Sequence, residues 1–243
     1  MKNILRCILI TFSLILIWQA TIRYFALPNY LLPTPLEVAH IFYTQYPLLL
    51  QQTLPTLVEI LLGFILGILL GSIIGFITAF SRLFRYGFLP ILLLSQAIPT
   101  FAIAPLLVVW LGYGLASKIA TTILMIFFPI ASSFYDGLCQ TPHAWLDLAK
   151  TMNATKWRTF FTIRIPAALP HLASGMRIAA VFAPMGAVVG EWVGSSQGLG
   201  YLMLNANARL QIDLMFAALI IIILLTLFLY FSVDRLLRII IWW

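Results

Sequence analysis

Residues 60–81 read ILLGFILGILLGSIIGFITAFS, a stretch without a single charged side chain. A helix rises about 1.5 Å per residue and the hydrocarbon core of a bilayer is about 30 Å thick, so a run of this length can cross it. Gly63, Gly67, Gly71 and Gly75 recur within it at four-residue spacing, which places them on one face of that helix. Such a stripe lets a second backbone approach closely and predicts a tight helix contact, either inside the protomer or at a dimer seam. Residues 214–233 form a second uncharged run. The rest of the chain has the same character: of 243 residues, 63% are hydrophobic and only 9% charged, with a mean hydropathy of +1.05. Soluble domains carry roughly 25% charged residues. The composition therefore excludes an ordinary soluble enzyme and predicts an all-α, polytopic membrane protein made of one transmembrane domain.

Six transmembrane helices are expected, at roughly 6–26, 56–80, 88–111, 115–136, 169–192 and 214–234. The first follows Lys2 and Arg6 as a signal peptide would. Its apolar region runs on to Leu27, however, and Trp18-Gln19-Ala20 lacks the small residue required before a cleavage point, so an uncleaved anchor is expected. Lys2, Arg6, Arg82, Arg85, Lys150, Lys156, Arg158, Arg164, Arg235 and Arg238 fall on one side of these spans, with Arg177 near it, and Arg23, Lys118 and Arg209 on the other. The positive-inside tendency puts the richer side, and both termini, in the cytoplasm. The formal charge of +7 thus lies between spans, beside lipid headgroups, and not on the solvated face that a nucleic-acid binder needs. Residues 28–55 become an outer connection, with a short interfacial helix expected over 36–46, and residues 137–168 an inner one. No internal repeat is evident. Cys7 and Cys139 lie too far apart in depth for a disulfide framework and read as packing residues.

Polar residues inside the spans are the candidates for function. Span three carries Ser95-Gln96-Ala97-Ile98-Pro99-Thr100 and Pro105, a proline-kinked pattern in which Gln96 and Thr100 share a face and either line a pathway or bond between helices. Span four adds Pro129, Ser132, Ser133 and Asp136, and span five adds Pro184 and Glu191. Glu191 reads either as a pathway or gate residue or as a solvated helix end. His40, His143 and His171 are scattered, no zinc-binding or nucleophile pattern occurs, and the phosphate-binding loop of ATPases is absent. No catalytic residue, metal or cofactor is expected on this chain, so energy has to come from a partner.

The inner connection is the most informative segment. It contains Asp147-Leu148-Ala149, then after three residues Asn153, and after nine more Ile163-Arg164-Ile165-Pro166. This resembles the cytoplasmic signature of the integral-membrane permease subunits of binding-protein-dependent ABC importers: Glu-Ala-Ala, three residues, Gly, nine residues, then Ile-x-Leu-Pro. Asp147 stands for the Glu, Leu148 and Ala149 for the two Ala, Asn153 for the Gly, Ile163 for the Ile, and Ile165-Pro166 for Leu-Pro. Asparagine is the commonest non-glycine residue in the left-handed conformation that ends helices, so Asn153 can close a short helix as glycine does. Leu148 adds bulk where the family docks on its ATPase.

The resemblance extends over nearly the whole chain. Leu32-Pro33-Thr34-Pro35, Ala97-Ile98-Pro99-Thr100 and Gly190-Glu191-Trp192-Val193-Gly194 with Gly198-Leu199-Gly200-Tyr201 are similar to the sulfonate, taurine, nitrate and thiamine-precursor branch. Within it, Glu191-Trp192, Gly198 to Met203 and Asp213 to Phe216 look most like permeases for hydroxymethylpyrimidine-type thiamine precursors. The resemblance implies a homodimeric path for a small polar solute, a separate ABC ATPase subunit that binds ATP, and a periplasmic or lipid-anchored solute-binding protein. A sulfonate-type permease is the alternative within the branch, and a non-transporting membrane scaffold the alternative outside it. Membrane-embedded hydrolase or transferase activity would require one of the three histidines.

Overall fold

The computed structural model describes residues 2–81, 84, 86, 87, 90, 94, 95 and 97–241, with side chains from residue 6 onward except 7, 8 and 11. Gln96, the side chain of Cys7, and Arg82 and Arg85 lie outside these residues. Among the described residues the structure is helical, with no strand. In chain order the elements are α1 (Lys2–Phe25), α2 (Pro35–Thr44), α3 (Tyr46–Phe80), α4 (Thr100–Leu111), α5 (Leu115–Cys139), α6 (His143–Thr151), α7 (Lys156–Thr159), a π-helical turn (Phe160–Arg164), α8 (Ile165–Gly194), α9 (Leu199–Ala208) and α10 (Ile212–Ile240).

Among the described residues four stretches are long and apolar enough to cross a membrane: α3, α5, the run from α7 through α8, and α10. Two expected boundaries need correction. The expected third span over 88–111 is not one unbroken helix: helical residues reach Ala97, the chain bends at Ile98, and Pro99 precedes the twelve-residue α4. A proline donates no backbone hydrogen bond and disfavours helix in the residue before it, which accounts for a break at Ile98-Pro99. The second expected span is much longer than 56–80, because α3 begins at Tyr46, with Pro47 in its first turn, and continues through Pro55.

Part of the connection over 28–55 is therefore helix. Helix α2 starts with a capping box: Thr34 Oγ1 accepts from the Glu37 N–H at 3.2 Å, and the Glu37 carboxylate accepts from the Thr34 N–H at 2.7 Å. Its buried residues Val38 and Ile41 pack in one cluster with Leu199 and Leu202 of α9 and Leu214 and Ala217 of α10. The short helix expected at the interface thus has its apolar side on protein.

Helix α5 is the centre of the bundle, gripped between α3 and α8. Every glycine of the α3 stripe faces it: a Cβ at Gly63 would stand 2.5 Å from Thr122 Cγ2, at Gly67 2.5 Å from Ile126 Cδ1, at Gly71 2.7 Å from the Phe127 carbonyl oxygen and at Gly75 2.8 Å from that of Ala131. Helix α8 meets the other side of α5 in the same way, through Gly175 against the Pro129 carbonyl oxygen, 2.8 Å from where a Cβ would lie, and Gly186 against Thr122 Cα, at 2.7 Å. Ile126 and Ile130 are completely enclosed. Contact between close backbones, through small residues, is what holds helices together where no water drives them. By contrast α1 is apolar and exposed along most of its length, and touches α10 through Trp18 and Phe216, whose ring centroids are 5.6 Å apart.

Candidate functional site

The segment singled out in the sequence forms two short helices at one end of the bundle. Helix α6 ends at Thr151, and Asn153 follows with φ +51, in the left-handed region. The Ala154 N–H donates to the Ala149 carbonyl at 2.9 Å and the Asn153 N–H to the Lys150 carbonyl at 3.0 Å. These are the two bonds of a Schellman motif, with asparagine where glycine is usual. Thr155 then caps α7, its hydroxyl accepting from the Arg158 N–H at 3.3 Å. Residues 152–155 thus join α6 to α7.

That placement fixes which side chains are presented. Ala149 is buried, while Leu148, Met152 and Trp157 are exposed. Asp147 and Lys150 are exposed too, and pair at 2.8 Å. The hydrogen bond from Lys150, and then its charge, hold the Asp147 carboxyl below the ordinary carboxylate range. Between α6 and the π-helical turn runs a groove of about 260 Å³ lined by Trp145, Leu148, Thr162, Ile163, Pro166 and Ala167. Three signature positions, Leu148, Ile163 and Pro166, thus line one groove, with the bulk of Leu148 on its wall.

The segment is fastened to the bundle through aromatic rings. Phe160 meets Phe76 edge-on at 5.1 Å between centroids and Phe80 at 5.5 Å, while Trp157 lies 4.8 Å from Phe80 and stacks on Phe161 at 5.8 Å. Phe160, Ala79 of α3, Phe134 and Leu138 of α5, and Ala168 of α8 form a single buried cluster. Helix α7 and the π-helical turn are thereby fastened to α3, α5 and α8. The π-helical turn that joins α7 to α8 carries one residue more than an α-helical turn, a feature common at functional sites.

A second polar centre lies at the opposite end of the bundle. Glu191 near the end of α8 is fully buried, and its carboxylate accepts from Thr56 Oγ1 at 2.6 Å, from the Gly200 N–H at 2.5 Å and from the Tyr201 N–H at 3.4 Å. The Leu199 N–H donates to Thr56 Oγ1 at 2.8 Å and the Gly198 N–H to Gln52 Oε1 at 2.6 Å. The first amide groups of α9 are thereby satisfied by side chains of α3 and α8, and the carboxylate sits where the helix dipole favours a negative charge. Beside it, Lys118 Nζ donates to Glu59 Oε1 at 2.6 Å, with side-chain exposures of 5% and 1%.

These positions differ from the sequence reading in several respects. Lys118, counted with the outer loops, is buried against Glu59, and Glu191 is no solvated helix end. Sequence reasoning passed over Glu59, although a carboxylate within an apolar helix is itself a signal. Pro99 is exposed and Thr100 half-buried at the start of α4, Ser132 is half-buried in α5, and Ser133 packs against Gly175 of α8. Ser133 and Glu191 therefore serve separate helix contacts. Elsewhere Asp234 joins α10 to α8 by accepting from Arg177 at 2.7 Å.

Comparison with known proteins places this architecture. The model of the family described as "Binding-protein-dependent transport system inner membrane component" matches residues 63–241, and the chain belongs to that family. It is an ABC importer permease, a membrane subunit and not itself an enzyme. Over 99% of its length it is 54% identical to a probable ABC transporter permease protein of Haemophilus influenzae, covering 98% of that protein. It is 40% identical to the riboflavin transport system permease protein RibX of Chloroflexus aurantiacus, over 96% of this chain and 88% of that one. It is 34% identical to the formylaminopyrimidine transport permease protein ThiX of Halalkalibacterium halodurans, over 95% and 92%. A chain of the MetNI methionine ABC transporter, in an inward-facing conformation, superposes with a TM-score of 0.68 over 79% of this chain and 95% of that one, at 22% identity, which speaks for the fold.

Proposed function

We propose that this permease forms, as a homodimer, the path by which a small nitrogen heterocycle, a thiamine-precursor pyrimidine, enters a bacterial cell. A periplasmic or lipid-anchored binding protein delivers the solute, and an ABC ATPase subunit that binds ATP drives its passage. Two relatives named for heterocycles, a formylaminopyrimidine and riboflavin, support the solute class. The sulfonate or taurine alternative draws support from two further relatives, named for aliphatic sulfonates and for taurine. Dimerisation is what the resemblance to these permeases implies.

The observation that carries the coupling role is the segment Asp147 to Pro166. It offers an exposed helix with a neighbouring groove to a partner, and the aromatic cluster behind it reaches three spanning helices. Placed in the cytoplasm, as the excess of basic residues favours, the segment faces the ATPase, both termini are inside, and the Glu191 end faces the binding protein. Segments near 6–26 and 88–111 complete six spans. Helix α5 and its neighbours would then alternate between inward and outward opening.

The test is ATP-dependent uptake by the reconstituted permease, ATPase and binding protein. Radiolabelled hydroxymethylpyrimidine is expected to accumulate, with unlabelled formylaminopyrimidine competing and taurine not. Accumulation of taurine with no pyrimidine uptake would replace this reading with the sulfonate one.

A further inference from the structure

The Glu191 end also contains a cavity of about 620 Å³, within the size range of small-molecule sites. Its wall includes Glu59 and Lys118, and its rim includes the exposed residues Gln51, Tyr113, Ser196 and Gln197. Lys118 has three N–H bonds, and among the described residues one acceptor, Glu59 Oε1, is within reach. Among the described residues Glu59 Oε2 receives no donor, and the Glu191 carboxyl lies beside that of Glu59. A buried ammonium with donors to spare, next to an open polar cavity, favours a guest that brings hydrogen-bond acceptors. A guest without charge gives up least hydration on entering surroundings of low polarity, whereas an anion has to shed far more. A neutral ring that carries both acceptors and donors, such as an aminopyrimidine, answers both conditions, and a sulfonate answers only the first.

We propose that this cavity is a solute site at the mouth of the permease, in which Lys118 donates to an acceptor of a neutral nitrogen heterocycle and Glu59 holds Lys118 in place. The inference rests on the heterocycle reading of the transported solute. It makes the permease a second selective element after the binding protein, because an anion has to give up its hydration there.

The experiment uses the reconstituted permease–ATPase complex carrying Ser196→Cys at the rim. The rate of labelling by a membrane-impermeant maleimide is measured with hydroxymethylpyrimidine or taurine added, alongside pyrimidine uptake with the binding protein present. Hydroxymethylpyrimidine is expected to slow labelling severalfold and taurine to leave it unchanged. The double variant Glu59→Gln/Lys118→Met removes both charges, so neither is left buried and alone. It should abolish that protection and raise the KM of uptake about tenfold, the loss expected for one buried hydrogen bond to a charged donor. Ser196→Trp narrows the mouth without touching the buried pair, and is expected to raise KM while the complex still assembles. Uptake that continues with labelling insensitive to saturating pyrimidine, or unchanged KM in both variants, would overturn the site and leave the heterocycle reading standing. Protection by taurine would overturn the selectivity. Uptake of taurine with no pyrimidine uptake would overturn the heterocycle reading, and this inference with it.

Discussion

At φ +112, and with the Glu191 carboxylate standing where a Cβ would go, Gly198 has room for no other residue. Replacing it with alanine strains the backbone, by about 1–3 kcal/mol for such a conformation, and pushes the carboxylate off the first turn of α9. Gly198→Ala is therefore expected to lower the Tm of the detergent-solubilised permease. Glu191→Ala should do so as well, because it leaves the Gly200 and Tyr201 N–H groups without their acceptor. A wild-type Tm in both variants would mean that the α9 cap carries no weight. The sequence marks Glu191 by its cost in a membrane, but its partners are 135 residues away at Thr56 and in the next helix, and no local pattern connects them. Glu59 was illegible for a different reason: the expected span began at residue 56, which made it a boundary residue, whereas α3 starts ten residues earlier and buries it. Asn153 is the opposite case. Its left-handed conformation follows from the signature spacing and the side chain alone, and the structure contains it.

The glycine stripe acts at the scale of whole elements. Four residues spaced by four predict a close contact, and nothing in their spacing says which helix makes it. The partner is α5, and the distances leave no space for a side chain: a Cβ at Gly71 would lie 2.7 Å from a main-chain oxygen that cannot rotate away. Overpacked cores lose about 1–3 kcal/mol, and a rigid backbone neighbour puts this site at the upper end. Gly71→Val is thus expected to reduce the amount of folded permease in the membrane strongly, whereas Gly114→Val, with nothing within 4 Å of its Cβ position among the described residues and an extended backbone, leaves it unchanged. Equal yields of the two variants would contradict the α3–α5 packing. The long apolar elements were legible because bilayer thickness dictates their length. The break at Ile98-Pro99 was legible only as a kink, because a proline in sequence marks strain without saying whether the helix bends or stops.

At the scale of the molecule, two polar centres sit at opposite ends of one bundle, and the same three helices, α3, α5 and α8, run between them. At one end Trp157, Phe160 and their ring neighbours tie α7 and the π-helical turn to these helices, and at the other Glu59, Lys118 and Glu191 tie the helices to one another and to α9. Motion imposed on the first end has a rigid route to the second, as a two-state transporter requires. The central claim, that a partner ATPase works the permease through Asp147 to Pro166, is tested most directly by ATP-dependent uptake in the reconstituted system with Asp147→Lys. Asp147 is exposed and bonded only to Lys150, so the variant should reach the membrane in normal amount. The account predicts that uptake falls at least tenfold, the size of one lost charge-assisted contact at a docking surface, while the binding protein still docks. Uptake at the wild-type rate with the ATPase still required would contradict it.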